Sequence, residues 1–270
     1  MARAATTTYA ATIEALRDKH IPAVRRAVAA QLAPVRAAHP LAMATRLRAE
    51  HDEWVALVAK LYGSVGQSFA DHTAATVAAR LGITPAKLTA TTGYSAAYDA
   101  FMGSYAEQQV PGYVDQIATS LEAHIGALPD ALAATDATID DIFAGIELVV
   151  GTMIVLTASS LAPIAGANAA AQSSGTDLTK TWQALEDART RPTHSAADGQ
   201  VQSLSDPFDV GSSQLMFPCD QSLGADIGEI IYCRCVVVYD VAANKRKLYR
   251  LDWPERWADI ILTGDKKGGS

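Results

Sequence analysis

The chain has little of what usually marks chemistry. It carries three cysteines, Cys219, Cys233 and Cys235, in 270 residues. An odd number of thiols, with no apolar stretch at the N-terminus that reads as a secretion signal, argues for a reducing compartment. There is no phosphate-cradling loop of Walker type, no G-x-S-x-G, no D-F-G and no dinucleotide fingerprint, which leaves an enzyme reading little to stand on. Positive charge is in deficit too. The net charge is −7, which excludes nucleic-acid binding by bulk electrostatics.

What positive charge there is sits early. Residues 1–50 hold Arg3, Arg17, Lys19, Arg25, Arg26, Arg36, Arg46 and Arg48 against Glu14, Asp18 and Glu50, a local +5 that leaves −12 for the rest. Arg17, Lys19, Arg25, Arg26, Arg46 and Arg48 are therefore candidates for contact with DNA or an acidic protein ring. The plainer alternative is a solvated helix face.

Charge is missing altogether from Leu148 to Ala171. The length permits a membrane span. Pro163, Asn168 and the Ser and Thr content weaken the second half, and the stretch reads as a buried core helix with small residues for close packing.

Alanine dominates the first half. Ile13, Leu16, Ile21, Val24, Val28 and Leu32 recur near helical period, with Pro22 and Pro34 expected to break or kink the run. A second helical stripe runs through Leu47, Trp54, Leu57, Val58, Leu61, Val65 and Phe69, weakened by Gly63 and Gly66 and stopped at Gly82-Ile83-Thr84-Pro85. A third follows over 85–128, with Tyr94, Tyr98, Phe101 and Tyr105 as helix–helix core and an interruption at Pro111-Gly112. Thr138 with Asp141 resembles a helix cap, opening a helix to about Ala158 with a further turn or two to Gln172. Ser173–Thr176 is a joint.

Beyond that joint the composition changes. Residues 192–228 are rich in Gly, Ser, Asp and Pro, and residues 229–241 form the best strand in the chain. The fold class expected is α+β: a long Ala-rich helical region, then a small α+β domain with a short antiparallel sheet. The division expected is 1–137, 138–245, and a partly disordered extension 246–270 that follows a solvated turn at Asn244–Lys247.

The polar residues concentrate between 180 and 235. Asp187, Arg189 and Arg191 precede Pro192, and Arg–carboxylate pairs would lock this loop. Asp198-Gly199 is a turn signal. His194 and Asp198 stand four apart, one helical face, a weak sign of acid–base or metal work. Cys233 and Cys235 would share one face of the expected strand. They could supply half of a tetrahedral zinc site, with Cys219 and His194 for the other half. Buried free thiols, or a disulfide, are the alternatives.

Taken together, Lys180, Trp182, Asp187, Arg189, Arg191, His194, Asp198, Gly199, Cys233, Arg234 and Cys235, in this order and spacing, resemble the phage Mu F-like minor head protein family, the phage head morphogenesis domain. The resemblance covers about residues 138–238; upstream only the helical character agrees. Two places depart from it. Pro218-Cys219-Asp220 stands where the family often has Pro-Gly-Asp, and Tyr232 stands where Asn usually precedes the first Cys.

The resemblance implies a minor head protein of a tailed bacteriophage. Such a protein is made in the host cytoplasm beside portal and scaffold and enters the virion head in a few copies. It binds the portal protein, with major capsid or scaffold protein and non-specific double-stranded DNA as further partners. No small-molecule substrate or cofactor is expected, a structural zinc excepted, and no enzymatic activity. The alternatives are a toxin-like module of ADP-ribosylating type and a membrane-active DNA-ejection protein using 148–171. The chain ends about thirty residues after the cysteine strand, which is expected to leave no room for a fused toxin domain.

Overall fold

The computed structural model describes residues 2–83, 94–127 and 136–242. The architecture is α+β, a helical bundle carrying a small antiparallel sheet. Helix α1 spans Ala2–Arg36; a 3-10 turn, Pro40–Ala42, leads into α2, Met43–Ala49. Then come α3, His51–Leu81, α4, Tyr94–Gly126, and α5, Asp136–Ser174. The sheet is formed by β1, Leu178–Gln183, β2, Val201–Ser203, and β5, Val236–Val241, in the order β2-β1-β5. Between these lie α6, Pro192–Ala197, the hairpin β3, Phe208–Val210, with β4, Ser213–Leu215, and α7, Ile227–Ile230.

Four prolines that would be expected to interrupt helices do not. Pro22 and Pro34 lie within α1, Pro111 within α4 and Pro163 within α5. A proline inside a helix removes one backbone bond and costs about 3 kcal/mol. Flanking burial offsets this: Val24, Val28, Leu32 and Val35 are all buried around the α1 prolines. Each such side chain contributes about 1.5–3 kcal/mol when fully buried. The expected cap at Thr138 is likewise displaced, because α5 starts at Asp136 and Thr138 falls inside its first turn.

The stop after α3 is where the sequence puts it. Gly82 takes φ +66°, and its N–H reaches the carbonyls of Ala78 and Ala79 to close the helix. Of the expected aromatic stripe on α4, Tyr105 is buried; the side chains of Tyr94, Tyr98 and Phe101 lie outside the described residues, as do Asn244–Lys247 and the extension 246–270.

The uncharged stretch is the central helix. α5 packs chiefly against α3 and then α1, and residues 153–168 are buried throughout. Thr138–Asn168 is long and apolar enough to cross a membrane by composition. Its close packing depends on small residues: a Cβ added at Gly166 would lie 2.1 Å from the Ala70 carbonyl oxygen on α3.

The sheet is laid on this bundle by its own alternation. Along β1, Leu178, Lys180 and Trp182 point inward while Thr179, Thr181 and Gln183 are half-exposed. Trp182 is paired with Val237 and Lys180 with Tyr239 on β5, whose residues 236–239 are buried on both faces. The strand expected over 229–241 is shorter than its composition suggests. Residues 227–230 turn helically, Tyr232 takes φ +53°, and only 236–241 pair. Residue 231 onward must turn back toward α6, which takes Cys233 out of the ladder.

A candidate metal centre at the Cys-x-Cys loop

Cys233 and Cys235 sit in the loop that enters β5. Both side chains are buried and converge on His194 of α6. Each Sγ lies 3.4 Å from His194 Nδ1. The three ligand atoms fall within 4.8 Å of one another. The shared face expected from a strand is therefore supplied by a loop instead.

His194 is held from two sides. Its Nε2 is 3.0 Å from Glu229 Oε2 on α7, and Thr193 Oγ1 donates to the same oxygen at 2.8 Å. Its ring stands edge-on to Trp182, with centroids 5.6 Å apart, and Trp182 in turn meets Phe208 at 5.4 Å. Burial pulls the imidazole pKa down, but the bond to Cys233 and the charges of Cys233 and Glu229 outweigh it, so the net direction is up. At Cys233 burial pushes the thiol up. Bonds from Cys219, Cys235 and His194 reverse this and hold it well below the usual cysteine range, while Cys219 and Cys235 are pushed up in turn.

Two expectations are corrected here. Cys219 is buried beside the group but outside its ligand set, since its Sγ–H donates to the Cys233 carbonyl at 3.2 Å. Asp198 does not pair with His194. It caps the end of α6, and its Oδ1 accepts from the Ala184 N–H at 2.8 Å. All three cysteines are free thiols.

The other motif residues hold the frame. Gly199, at φ +76°, donates its N–H to the Trp182 carbonyl at 2.9 Å, while Trp182 donates to Gln200. Arg234 ion-pairs with Asp187, whose other oxygen accepts from the Arg189 N–H at 3.0 Å. The Arg234 bond, then the Arg189 bond, hold the Asp187 carboxyl below the usual range. Arg191 donates to the Ile231 carbonyl, and the Arg189 side chain stays exposed. The loop is locked, but its close ion pair comes from Arg234 outside it rather than from the neighbouring Arg189 and Arg191 of the Arg–Asp spacing.

Lys180 is fully buried. Its Nζ donates to the Met216 carbonyl at 2.8 Å and sits 4.9 Å from the centre of the Phe208 ring. Burial lowers its pKa to about 7 against the opposing pull of Asp220 and Asp206. Asp220 holds the same residue by its other backbone group, accepting from the Met216 N–H at 2.9 Å, and from the Ser222 N–H and hydroxyl. Burial raises the Asp220 pKa, in the face of those three bonds.

These residues bring the chain to its relatives. Residues 150–238 match the family model of phage Mu protein F like protein. This stretch is a phage Mu F-like domain. No curated protein and no solved structure matches the chain significantly. The Mu F-like domain sets the chain in the context of phage head morphogenesis.

The basic N-terminal residues are largely spent within the molecule. Arg17 is buried, so it is not a surface contact. It donates to Ser159 at 2.7 Å, to the carbonyls of Arg234 at 2.9 Å and Cys235 at 3.3 Å, and to Glu14. Arg46 pairs with Glu50, and Arg48 with Asp115 and Glu122. Arg25 is half-buried against Gly151. Lys19 and Arg26 remain exposed. Sequence reasoning missed Glu229, which no spacing tied to His194, and the structural role of Arg17.

A second feature is a groove. An apolar groove of about 560 Å³ runs between α4, the first half of α5 and α7. Val149 of α5 and Ile227 of α7 both line it and are both exposed.

Proposed function

We propose that the protein is a minor head protein of a tailed bacteriophage, acting in head morphogenesis by docking on the portal. The Mu F-like match over 150–238 carries the reading. The use made of its motif residues supports it: Lys180, Trp182 and His194 are buried and Asp198 and Arg191 bond to backbone, so the motif builds a rigid module. A docking module needs a surface, and the groove with Val149 and Ile227 at its margins has the apolar character of one.

The test is quantitative mass spectrometry of purified heads assembled with and without portal. The expected result is a few copies per head that vanish when the portal is missing, and that also vanish for the exposed-site variants Val149→Asp and Ile227→Asp. Absence from both head preparations would remove the structural reading. Retention of both variants at normal copy number would remove the groove as the docking face.

A further inference from the structure

We propose that His194 Nδ1, Cys233 Sγ and Cys235 Sγ bind a zinc ion, with the fourth position open to a water in the small polar cavity beside them. Three independent observations carry this. The first is spacing. A tetrahedral zinc, with bonds of about 2.3 Å to sulfur and about 2.0–2.1 Å to nitrogen, holds S and N about 3.5 Å apart. Both sulfurs are 3.4 Å from Nδ1, so the set has the span of a coordinated one.

The second is a conflict of hydrogen bonding. A neutral imidazole nitrogen has one lone pair to offer. Two buried sulfurs crowd the same Nδ1, and with one lone pair, or one proton when the ring is charged, it can bond to only one of them. A cation resolves this, since both sulfurs and the nitrogen become donors to it. Binding then releases to solvent the protons that the two sulfurs and Nδ1 still hold, and the paired thiolates are neutralised by the dication.

The third is the outer shell. Glu229 Oε2 takes the Nε2 side of the ring and is itself fixed by Thr193. A carboxylate on the far nitrogen sets the tautomer that leaves Nδ1 free for metal. The cavity has room of about 20 Å³ and is lined by the three ligands with Thr190 and Arg191 among others. That suffices for one water. Two thiolates and an imidazole favour zinc over the oxygen-seeking cations.

The ion would pin the loop 233–235 to α6, from which Trp182 and the sheet take their position. This rests on ligand geometry and stands or falls apart from portal docking. The experiment uses the full chain, stripped under reducing conditions and titrated with Co²⁺ and then Zn²⁺. Expected are one equivalent bound, a sulfur-to-cobalt charge-transfer band and its loss on adding zinc. Cys219→Ser should keep the band, Cys235→Ser should lose it, and Glu229→Gln should fold and bind about 10–100-fold more weakly. Zinc below about a tenth of an equivalent, with no band, overturns the site. A band lost equally in Cys219→Ser, with that variant still folded, overturns the open fourth position. Unchanged affinity in Glu229→Gln overturns the role of the outer shell.

Discussion

The Arg17 guanidinium, on the first helix, donates at 2.9 Å to the main-chain carbonyl of Arg234, 217 residues further along. The same group reaches the Cys235 carbonyl and the Ser159 hydroxyl. The Cys-x-Cys loop is thus held on both sides, its side chains facing His194 and its carbonyls facing α1.

Replacing Arg17 by Ala would leave two carbonyls and a hydroxyl without their buried partner. Breaking a buried charged network of this kind costs about 3–5 kcal/mol. Urea denaturation of Arg17→Ala should show a loss in that range, against a change within about 0.5 kcal/mol for the exposed Lys19→Ala. Equal, small losses in the two would place Arg17 outside the core.

Lys180 gives the protein a stability that depends on pH. Its folded pKa is lowered to about 7 by burial, from an ordinary value of 10.5. Between those values the unfolded chain binds a proton that the folded one does not, so stability rises with pH. The contribution is complete above the unfolded value and is lost as pH falls through about 7. The slope from this group is at most about 1.4 kcal/mol per pH unit. Chemical denaturation at about pH 7 and about pH 9 should show the rise in the native chain and a flatter profile in Lys180→Met. A parallel rise in both would assign the effect to other groups.

Tyr232 sits at φ +53° with its side chain 42% exposed. Left-handed backbone costs a side-chain-bearing residue about 1–2 kcal/mol, and Asn tolerates it better. Tyr232→Asn should therefore gain about 0.5–1 kcal/mol, read as a rise of about 1–4 °C in Tm. A fall in Tm would mean that the ring's own packing outweighs the backbone strain.

The helical period, the Gly82 stop and the core character of residues 153–168, within the uncharged stretch, were legible because each rests on local pattern. The inward face of Lys180 and Trp182 was not, because no strand was expected over 178–183 and a lysine does not announce a buried position. The prolines misled because tertiary burial offset a local cost. The Cys-x-Cys strand misled because β-branched composition does not register a left-handed turn at Tyr232. Cys219, at φ +69°, and Tyr232 are two of the three non-glycine residues with positive φ among the described residues, and they are the two points where the motif departs from its usual Gly and Asn. The departures signalled backbone conformation. The pairing of His194 with Glu229 left no trace in the sequence, because it joins two short helices with no common period.

Gly166 has a bearing on where this chain could be cut and joined to another. It lies inside the Mu F-like stretch, yet the atom it makes room for, the Ala70 carbonyl oxygen, belongs to α3 upstream of that stretch. The contact is backbone against backbone, so no neighbouring side chain can yield to admit even an alanine, the residue this chain uses most freely elsewhere. A recombination joint placed at the edge of the matched stretch would graft one parent's helix onto the other's groove. A joint before α3 would keep this fit but would part Arg17 from Ser159, Arg234 and Cys235, so the helical half, α1 included, is tied to the domain it supports.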